Sequence, residues 1–221
     1  MDLFKKIADN SLGTSLAHSM RFKRFKYFIE LISNLERPMT ILDIGGTQEY
    51  WSRMGFNDSN IKVTLLNLSE QVTTSPNFSN VVGNATNLSV YNDAHFDIVY
   101  SNSVIEHLFT KENQMKMANE VRRVGKYYFI QTPNYFFLIE PHFLFPGFQF
   151  LPYSLKVWLV NNFSLGHIKK KKSVAEAKTQ IEEIKLLTTK EMKTLFPDST
   201  IWKEKVAGFT KSIIAQNFAM N

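Results

Sequence analysis

The run from Thr40 to Thr47 constrains the fold of this chain more than any other part of its sequence. It reads Thr-Ile-Leu-Asp-Ile-Gly-Gly-Thr, an apolar strand that carries Asp43 near its end and passes directly into Gly45 and Gly46. Two glycines after a buried strand let the backbone approach a ligand closely, and the free N–H groups of a following helix then face that ligand. This order of residues is typical of the first turn of nucleotide-binding α/β folds, although the full Gly-x-Gly-x-x-Gly pattern is absent.

Three further strand-like segments follow at the spacing of a doubly wound sheet. Residues 61–67 form an apolar segment that ends in Asn67, about where such folds bind a ribose. Residues 81–88 predict a short strand and a loop, and residues 96–100 predict a fourth strand. Because ligands bind outside the carboxyl ends of the strands in open α/β sheets, we expect the site at that edge.

The fourth strand continues into Phe-Asp-Ile-Val-Tyr-Ser-Asn-Ser-Val-Ile-Glu-His-Leu at residues 96–108. Together with the glycine turn, this phrase resembles the class I S-adenosylmethionine-dependent methyltransferases, specifically the small type 11 group, over residues 38–135 and again at the C-terminus. The resemblance implies S-adenosylmethionine as cofactor and S-adenosylhomocysteine as product. It also implies an α/β fold: a doubly wound, Rossmann-like, seven-stranded and mainly parallel sheet with an antiparallel C-terminal hairpin.

The resemblance places the cofactor contacts just past the carboxyl ends of the strands. The predicted cofactor-binding residues are Asp43, Gly45, Gly46, Thr47, Asn67, Leu68, Asn84, Ala85, Ser101 and Asn102. The amino-acid end of the cofactor is expected at the glycine turn, the ribose near Asn67 and the adenine near Asn84. The competing interpretation is a cap for Asp43 and ordinary turns for the two asparagines.

Two departures from the family pattern concern this site. The glycine loop, usually Asp-x-Gly-x-Gly-x-Gly, reads Asp-Ile-Gly-Gly-Thr-Gln-Glu here and is one glycine short. Asn67 and Asn84 stand where the family usually has acids, so the charge-assisted part of those hydrogen bonds is lost. A noncatalytic binding protein on the same fold is therefore kept as an alternative to an active enzyme.

Three ionisable residues are predicted to act on the acceptor side: His107, Glu140 and His142. His107 follows the fourth strand on a predicted helix, and a histidine near its unperturbed pKa accepts a proton at neutral pH. Glu140 and His142 flank one proline after the fifth strand, within a phrase at residues 132–152 that resembles methyltransferases often encoded beside surface-polysaccharide genes. Both motifs also fit purely structural roles. Glu106 is expected to point about 100° away from His107 and to be a solvent-facing or structural residue.

Composition limits the class of protein. The 221 residues suit a single domain over 1–221, and the absence of cysteine excludes disulfides and thiolate metal sites. The five histidines show no metal-ligand spacing, so no metal is predicted. Because neither a signal peptide nor an apolar run of about 20 residues is visible, the sequence predicts a cytoplasmic protein.

Basic charge and aromatic side chains are concentrated in one segment. The formal net charge is +6, and residues 141–172 contain no acid and combine Lys156 and the lysine run 169–172 with several aromatic residues. Such a composition suits an anionic membrane surface, with the protein peripheral to it, or single-stranded nucleic acid. Four prolines in residues 133–152 predict irregular structure, so residues 133–172 are interpreted as a lid or acceptor-side insertion.

At the N-terminus, apolar residues recur at helical spacing at Phe22, Phe25, Ile29 and Ile32. Residues 1–37 are therefore predicted to form a helical cover over the sheet or the cofactor cleft.

The sequence as a whole predicts a methyltransferase whose acceptor is a small molecule or the sugar part of a glycan or lipid-linked intermediate. An RNA methyltransferase is the alternative enzyme, which the net charge permits. It ranks lower because the chain has no separate RNA-binding module and no Asn-Pro-Pro-Tyr-type motif, so nucleic acid is not the expected partner.

Overall fold

The computed structural model describes residues 16–219, in which a seven-stranded sheet is flanked by helices on both faces. The strands of this sheet are β1 (Met39–Ile44), β2 (Ile61–Asn67), β3 (Phe78–Val82), β4 (Phe96–Asn102), β5 (Gly125–Pro133), β8 (Thr200–Val206) and β9 (Phe209–Gln216), and a separate ribbon pairs β6 (Ile139–Glu140) with β7 (Phe145–Pro146). Their order is β3-β2-β1-β4-β5-β9-β8. Strands β1 to β5 are parallel, and β9 is antiparallel to both of its neighbours. The predicted doubly wound sheet with a reversed C-terminal hairpin is thus confirmed.

Within residues 16–219, six α-helices cover the sheet or extend the insertion. They are α1 (Leu16–Ile32), α2 (Gln48–Arg53), α3 (Lys111–Val124), α4 (Tyr153–Asn162), α5 (Val174–Glu183) and α6 (Thr189–Leu195). Helix α6 begins with a capping box, in which the Thr188 side chain accepts from the backbone of Glu191 and the Glu191 carboxylate bonds back to Thr188. None of the helices within residues 16–219 is long and apolar enough to cross a bilayer.

Strand alternation decides which side chains of β1 reach each layer of the core. Leu42 and Ile44 enter the layer under α3, whereas Ile41 enters the aromatic layer under α1 and α2. Asp43 shares the second face and meets Trp51 of that layer. A carboxylate is therefore buried among aromatic rings at the end of the first strand.

The N-terminal helix uses a different apolar stripe from the one that periodicity predicted. Phe25 and Phe28 are buried, whereas Phe22 is 48% exposed. Arg24, on the same helix, donates a hydrogen bond to Asn102 at the carboxyl end of β4. The helix thus reaches the ligand edge of the sheet, and the part of the predicted cover that precedes residue 16 lies outside the described residues.

The insertion at residues 133–172 contains more regular structure than its prolines predicted. Helix α4 packs against α5, and Val157, Val160 and Ala177 are buried in a hydrophobic cluster distinct from the two clusters on the faces of the sheet. Pro152 stands at the N-cap of α4 and so does not interrupt it. The insertion has a small core of its own, and its action as a lid stays a prediction.

Candidate active site

The glycine turn, Gly45 and Gly46 between β1 and α2, is shaped by Asp43. The Asp43 side chain is buried, and Trp51 Nε1 donates a hydrogen bond of 2.6 Å to its Oδ2. A Cβ atom on Gly46 would lie 1.6 Å from that oxygen, so this glycine is required by packing inside the protein. Gly45 has φ +74°, and a Cβ there would lie 2.5 Å from Val104 Cγ2. Both glycines are needed, but the immediate cause is the turn itself rather than the approach of a ligand.

The same burial changes the charge of Asp43. Removal from water raises the pKa of the Asp43 carboxyl to about 7, against the opposing effect of the Trp51 hydrogen bond. At neutral pH the group is therefore close to its midpoint. A cation bound beside it would shift it towards the charged form.

A cavity of about 100 Å³ opens at the glycine turn. It is lined by Arg21, Asp43, Ile44, Gly45, Gly46, Thr47, Tyr50, Tyr100 and Asn102. Arg21 is half-buried, forms no ion pair with a carboxylate of residues 16–219, and has its pKa lowered by burial. An unpaired guanidinium and a buried carboxylate in one small cavity match the carboxylate and ammonium of an α-amino acid. These residues fit the methionine end of S-adenosylmethionine, and Arg21 is a site residue that sequence patterns did not single out.

The asparagines predicted to hold ribose and adenine both bond within the protein. Asn67 Nδ2 donates to the Gly46 carbonyl across 3.0 Å, and Asn84 Oδ1 accepts from the backbone N–H and hydroxyl of Thr86 at 3.0 and 2.9 Å. Each therefore stabilises a turn, as the competing interpretation held. Within residues 16–219 no hydrogen bond engages Asn67 Oδ1 or Asn84 Nδ2, an acceptor suited to a ribose hydroxyl and a donor suited to an adenine nitrogen. Their predicted neighbours are Leu68, which is exposed, and Ala85, which is buried.

The remaining predicted cofactor residues serve the architecture of the site. Thr47 caps α2, and Ser101 Oγ donates to the backbone of β1 across 3.3 Å. Asn102 Oδ1 accepts from Arg24, which also forms a buried ion pair of 2.8 Å with Glu204. These contacts hold β1, β4 and α1 together around the small cavity.

Beyond the end of β4, the structure brings His107, Glu140 and His142 together. Nδ1 of His142 lies 2.7 Å from Oε1 of Glu140, and Nε2 of His142 lies 3.2 Å from Nε2 of His107. The second oxygen of Glu140 accepts from the backbone N–H groups of His142 and Phe143, which fixes the carboxylate. We call these three residues and Glu106 the acceptor cluster.

Glu106 contradicts one of the two predicted alternatives, that of a solvent-facing residue. It is fully buried rather than solvent-facing, its Oε2 accepts from Thr132 Oγ1 across 3.0 Å, and one ligand atom from each of Glu106, His107 and His142 lies within 4.8 Å of the others. The prediction assumed a regular helix with one inward face. Residues 105–107 instead form a single 3₁₀ turn, and the backbone N–H of Lys185 bonds to the Glu106 carbonyl across 2.7 Å. The segment after α5 therefore encloses the turn and buries the carboxylate.

Burial and mutual charge set different pKa values within the cluster. Burial raises the pKa of Glu106 to about 7, with His142 opposing, and burial followed by the charge of His142 lowers the pKa of His107 to about 4. Burial also lowers the pKa of His142, but the hydrogen bond and charge of Glu140 outweigh it and leave that pKa raised. At neutral pH, His107 is therefore an uncharged imidazole, and His142 is the more basic of the two.

The glycine turn and the acceptor cluster are neighbours at one edge of the sheet. Strands β1 and β4 pair directly, with Ile44 opposite Ser101. Val104, whose Cγ2 restricts Gly45, stands two residues before Glu106. The loop that carries half of the cluster thus packs on the turn that borders the small cavity.

A second cavity, of about 450 Å³, lies between α3, the insertion and the segment after α5. Its size is within the range of small-molecule sites, and Glu140 is part of its wall. The lining mixes aromatic rings, including Phe143 and Tyr153, with polar groups, including Gln149 and Lys185. The acceptor cluster therefore borders a cavity of substrate size on the side of the insertion.

Comparison with known proteins gives one family match. Residues 42–127 match the model of a family described as a methyltransferase domain. Two uncharacterised proteins of Mycobacterium tuberculosis are 36% identical over 56 residues, which is 25% of this chain and 19% of their own length. The matched segment thus spans only that small share of the curated relatives.

Solved structures resemble the chain over most of its length. A SAM-dependent methyltransferase from Methanosarcina mazei is 16% identical, with 86% of this chain and 98% of that chain covered and a TM-score of 0.53. A SAM-dependent methyltransferase from Aquifex aeolicus is 15% identical, with 97% of each chain covered and a TM-score of 0.50. At these identities the likeness shows a shared fold.

Proposed function

Residues 42–127 of this chain match a methyltransferase domain, and we propose from this premise that the chain is a class I S-adenosylmethionine-dependent enzyme that methylates a hydroxyl oxygen. The acceptor would be a small molecule or the sugar part of a glycan or lipid-linked intermediate. One observation carries the proposal: two partly exposed histidines and two buried glutamates cluster beside the glycine turn, at the edge where open α/β sheets bind ligands.

The cofactor implied by the domain is S-adenosylmethionine, which supplies a methyl group activated on a sulfonium. Arg21 would pair with its carboxylate, and Asp43 with its ammonium group. Asn67 Oδ1 would accept from a ribose hydroxyl, and Asn84 Nδ2 would donate to the adenine ring. The nucleoside would lie at the ends of β2 and β3, beside Asn67 and Asn84, since the small cavity has room only for the amino-acid end.

The acceptor cluster would take up the proton of the acceptor hydroxyl. Because Glu140 bonds to Nδ1 of His142, the other nitrogen, Nε2, would act as the base once the acceptor hydroxyl replaces its 3.2 Å contact with His107 Nε2. Glu140 would then stabilise the imidazolium, which agrees with the raised pKa of His142. The aromatic and polar lining of the larger cavity suits the ring faces and hydroxyls of a sugar.

Binding of S-adenosylhomocysteine tests the cofactor assignment. We expect Arg21→Met to weaken binding about 10- to 100-fold, since a hydrogen bond to a charged group contributes about 1.5–3 kcal/mol. Isothermal titration of the full chain is the measurement. Lys23→Met, which removes an exposed cation from the same helix, is the matched control and should leave affinity unchanged.

Two results of this titration would contradict the proposal. A wild-type chain that binds neither S-adenosylmethionine nor S-adenosylhomocysteine would instead be a noncatalytic protein on this fold. Equal affinities of wild type and Arg21→Met for S-adenosylhomocysteine would show that the cofactor does not bind in the small cavity.

We also propose that the protein binds an anionic membrane surface and meets its acceptor there. Trp158 of α4 and Phe163 are 54% and 49% exposed, their rings lie 5.4 Å apart, and Leu155 is also exposed on α4. The lysine run 169–172 lies beside this helix, because the backbone N–H of Lys171 bonds to the Val160 carbonyl. Exposed aromatic rings next to lysines suit the interface of an anionic bilayer.

Vesicle flotation tests this surface. Replacing both Lys169 and Lys170 by Gln is expected to weaken binding to phosphatidylserine-containing vesicles about 30-fold, since each lysine near an anionic surface contributes about 1 kcal/mol. The control replaces the exposed lysines Lys203 and Lys205 on β8 by Gln and should leave vesicle binding nearly unchanged. Binding that survives high salt, or that both double variants lose equally, would exclude a specific surface at α4.

A further inference from the structure

We propose that Glu106, His107 and His142 bind a divalent transition-metal ion. The inference rests on the proposed function only for what the ion does, which is to bind the acceptor hydroxyl. Its starting point is the convergence of two imidazoles and one carboxylate, with one ligand atom from each within 4.8 Å of the others.

The spacing of the two histidines suits a shared ion. Metal–nitrogen bonds of about 2.0–2.1 Å place two ligands of one ion roughly 3.0–3.4 Å apart. The Nε2 atoms of His107 and His142 are 3.2 Å apart. A direct hydrogen bond gives the same distance, so the surrounding contacts have to distinguish the two cases.

Those contacts orient His142 and Glu106 as metal ligands. Glu140 lies 2.7 Å from Nδ1 of His142, the arrangement that keeps a proton there and leaves Nε2 free to coordinate. Glu183 Oε1 lies 3.9 Å from Nδ1 of His107, which is beyond hydrogen-bond distance. Thr132 orients Glu106 by donating a hydrogen bond to its Oε2.

The buried carboxylate of Glu106 supplies an independent observation. Its Oε1 is fully buried and has no hydrogen-bond partner within the described residues. An unpaired oxygen on a buried acid costs free energy, and hydrogen bonding by Thr132 satisfies only the other oxygen. A bound cation would give Oε1 its partner and would hold Glu106 in the charged form.

The ligand set indicates which cation binds. Mg²⁺ and Ca²⁺ prefer oxygen ligands, whereas two imidazoles with one carboxylate suit Zn²⁺, Fe²⁺, Co²⁺ or Mn²⁺. Three protein ligands leave coordination positions open, as in catalytic rather than structural sites. An acceptor hydroxyl bound there would be acidified by the cation and would release its proton to solvent, so His142 would serve as a ligand instead of a base.

Sequence spacing predicted no metal because the ligands come from different segments. Only Glu106 and His107 are adjacent, and His142 reaches them from the insertion that follows β5. The fold rather than a local motif assembles the three ligands.

Cobalt titration of the chelator-treated full chain tests the inference. We expect one Co²⁺ per chain with visible absorption bands, displacement by Zn²⁺, and no displacement by a comparable concentration of Mg²⁺. Glu140→Gln, which leaves the ligands in place, should weaken Co²⁺ binding about 10- to 100-fold. Glu106→Gln and His142→Ala should weaken it further, whereas His95→Ala, an exposed histidine at the opposite end of β4, should not.

S-adenosylhomocysteine affinity, measured on the same samples, shows that each variant is folded and separates the two proposals. Cobalt binding that is absent, or that is equal in wild type and Glu106→Gln, overturns the metal site even if the cofactor still binds. Cobalt binding without any cofactor binding upholds the metal site and overturns the methyltransferase. If Glu106→Gln alone lost both Co²⁺ binding and S-adenosylhomocysteine binding, Glu106 would be needed for folding. The Co²⁺ affinities of wild type and Glu140→Gln would then decide the metal site, and equal affinities would overturn it.

Discussion

Replacing His142 by alanine is expected to lower the rate of methyl transfer about 10²- to 10⁴-fold, with S-adenosylhomocysteine affinity nearly unchanged. This is the usual range for the loss of a positioned acid–base group. The side chain lies on the acceptor side of the site, away from the cavity that contains Arg21 and Asp43. The measurement is the initial rate of S-adenosylhomocysteine release with a panel of sugar hydroxyl acceptors, together with a titration of the product.

The rate of methyl transfer by the corresponding His107→Ala variant shows how much each histidine contributes to catalysis. A large rate loss in His142→Ala only would identify His142 as the base, and large losses in both are expected if they hold one cation. His95→Ala is the control, because that side chain is exposed and its ring packs at a tilted angle against Tyr91 outside the site. Small and equal losses in both cluster variants would mean that positioning of the acceptor, rather than proton transfer, supplies the catalysis.

Asp43 is expected to make the unliganded protein less stable as pH rises from about 4 to about 7. Its carboxyl has an ordinary pKa of 3.8 and a pKa of about 7 in the folded protein, because it is buried. In this range the unfolded chain loses the proton while the native protein keeps it, so the native state binds more protons and loses stability with rising pH. The gap corresponds to on the order of 4 kcal/mol above pH 7.

Asp43→Asn isolates this contribution, since the amide does not titrate and its oxygen still accepts from Trp51. The measurement is the free energy of unfolding in urea, for wild type and variant, at pH 4 and at pH 8. Between these pH values, wild type should lose about 4 kcal/mol of stability relative to the variant. The other buried groups that titrate, Glu106 and His107, are present in both proteins and cancel. A difference that stays constant with pH would show that Asp43 is charged throughout.

Local signals explain which elements the sequence predicted well. The glycine turn depends on residues within a few positions of one another, and it occurs where expected. Strand β4 runs two residues beyond its predicted end, because Ser101 and Asn102 pair with Ile130 and Gln131 of β5. Helix α4 was not predicted, because the prolines around it masked a segment that becomes regular once it packs on α5.

The amino-acid sequence by itself indicated the parallel strands and the glycine turn, since apolar periodicity and glycine turns act over short stretches of chain, and the family resemblance added the ligand-binding edge and the histidines as predictions. Tertiary structure alone decided the chemistry of the site. It turned Glu106 inward under the segment after α5, placed Arg21 beside Asp43, and joined His107 to His142 across the insertion. Burial and charge at these points depend on which distant segments meet, and no local pattern in the sequence records those meetings.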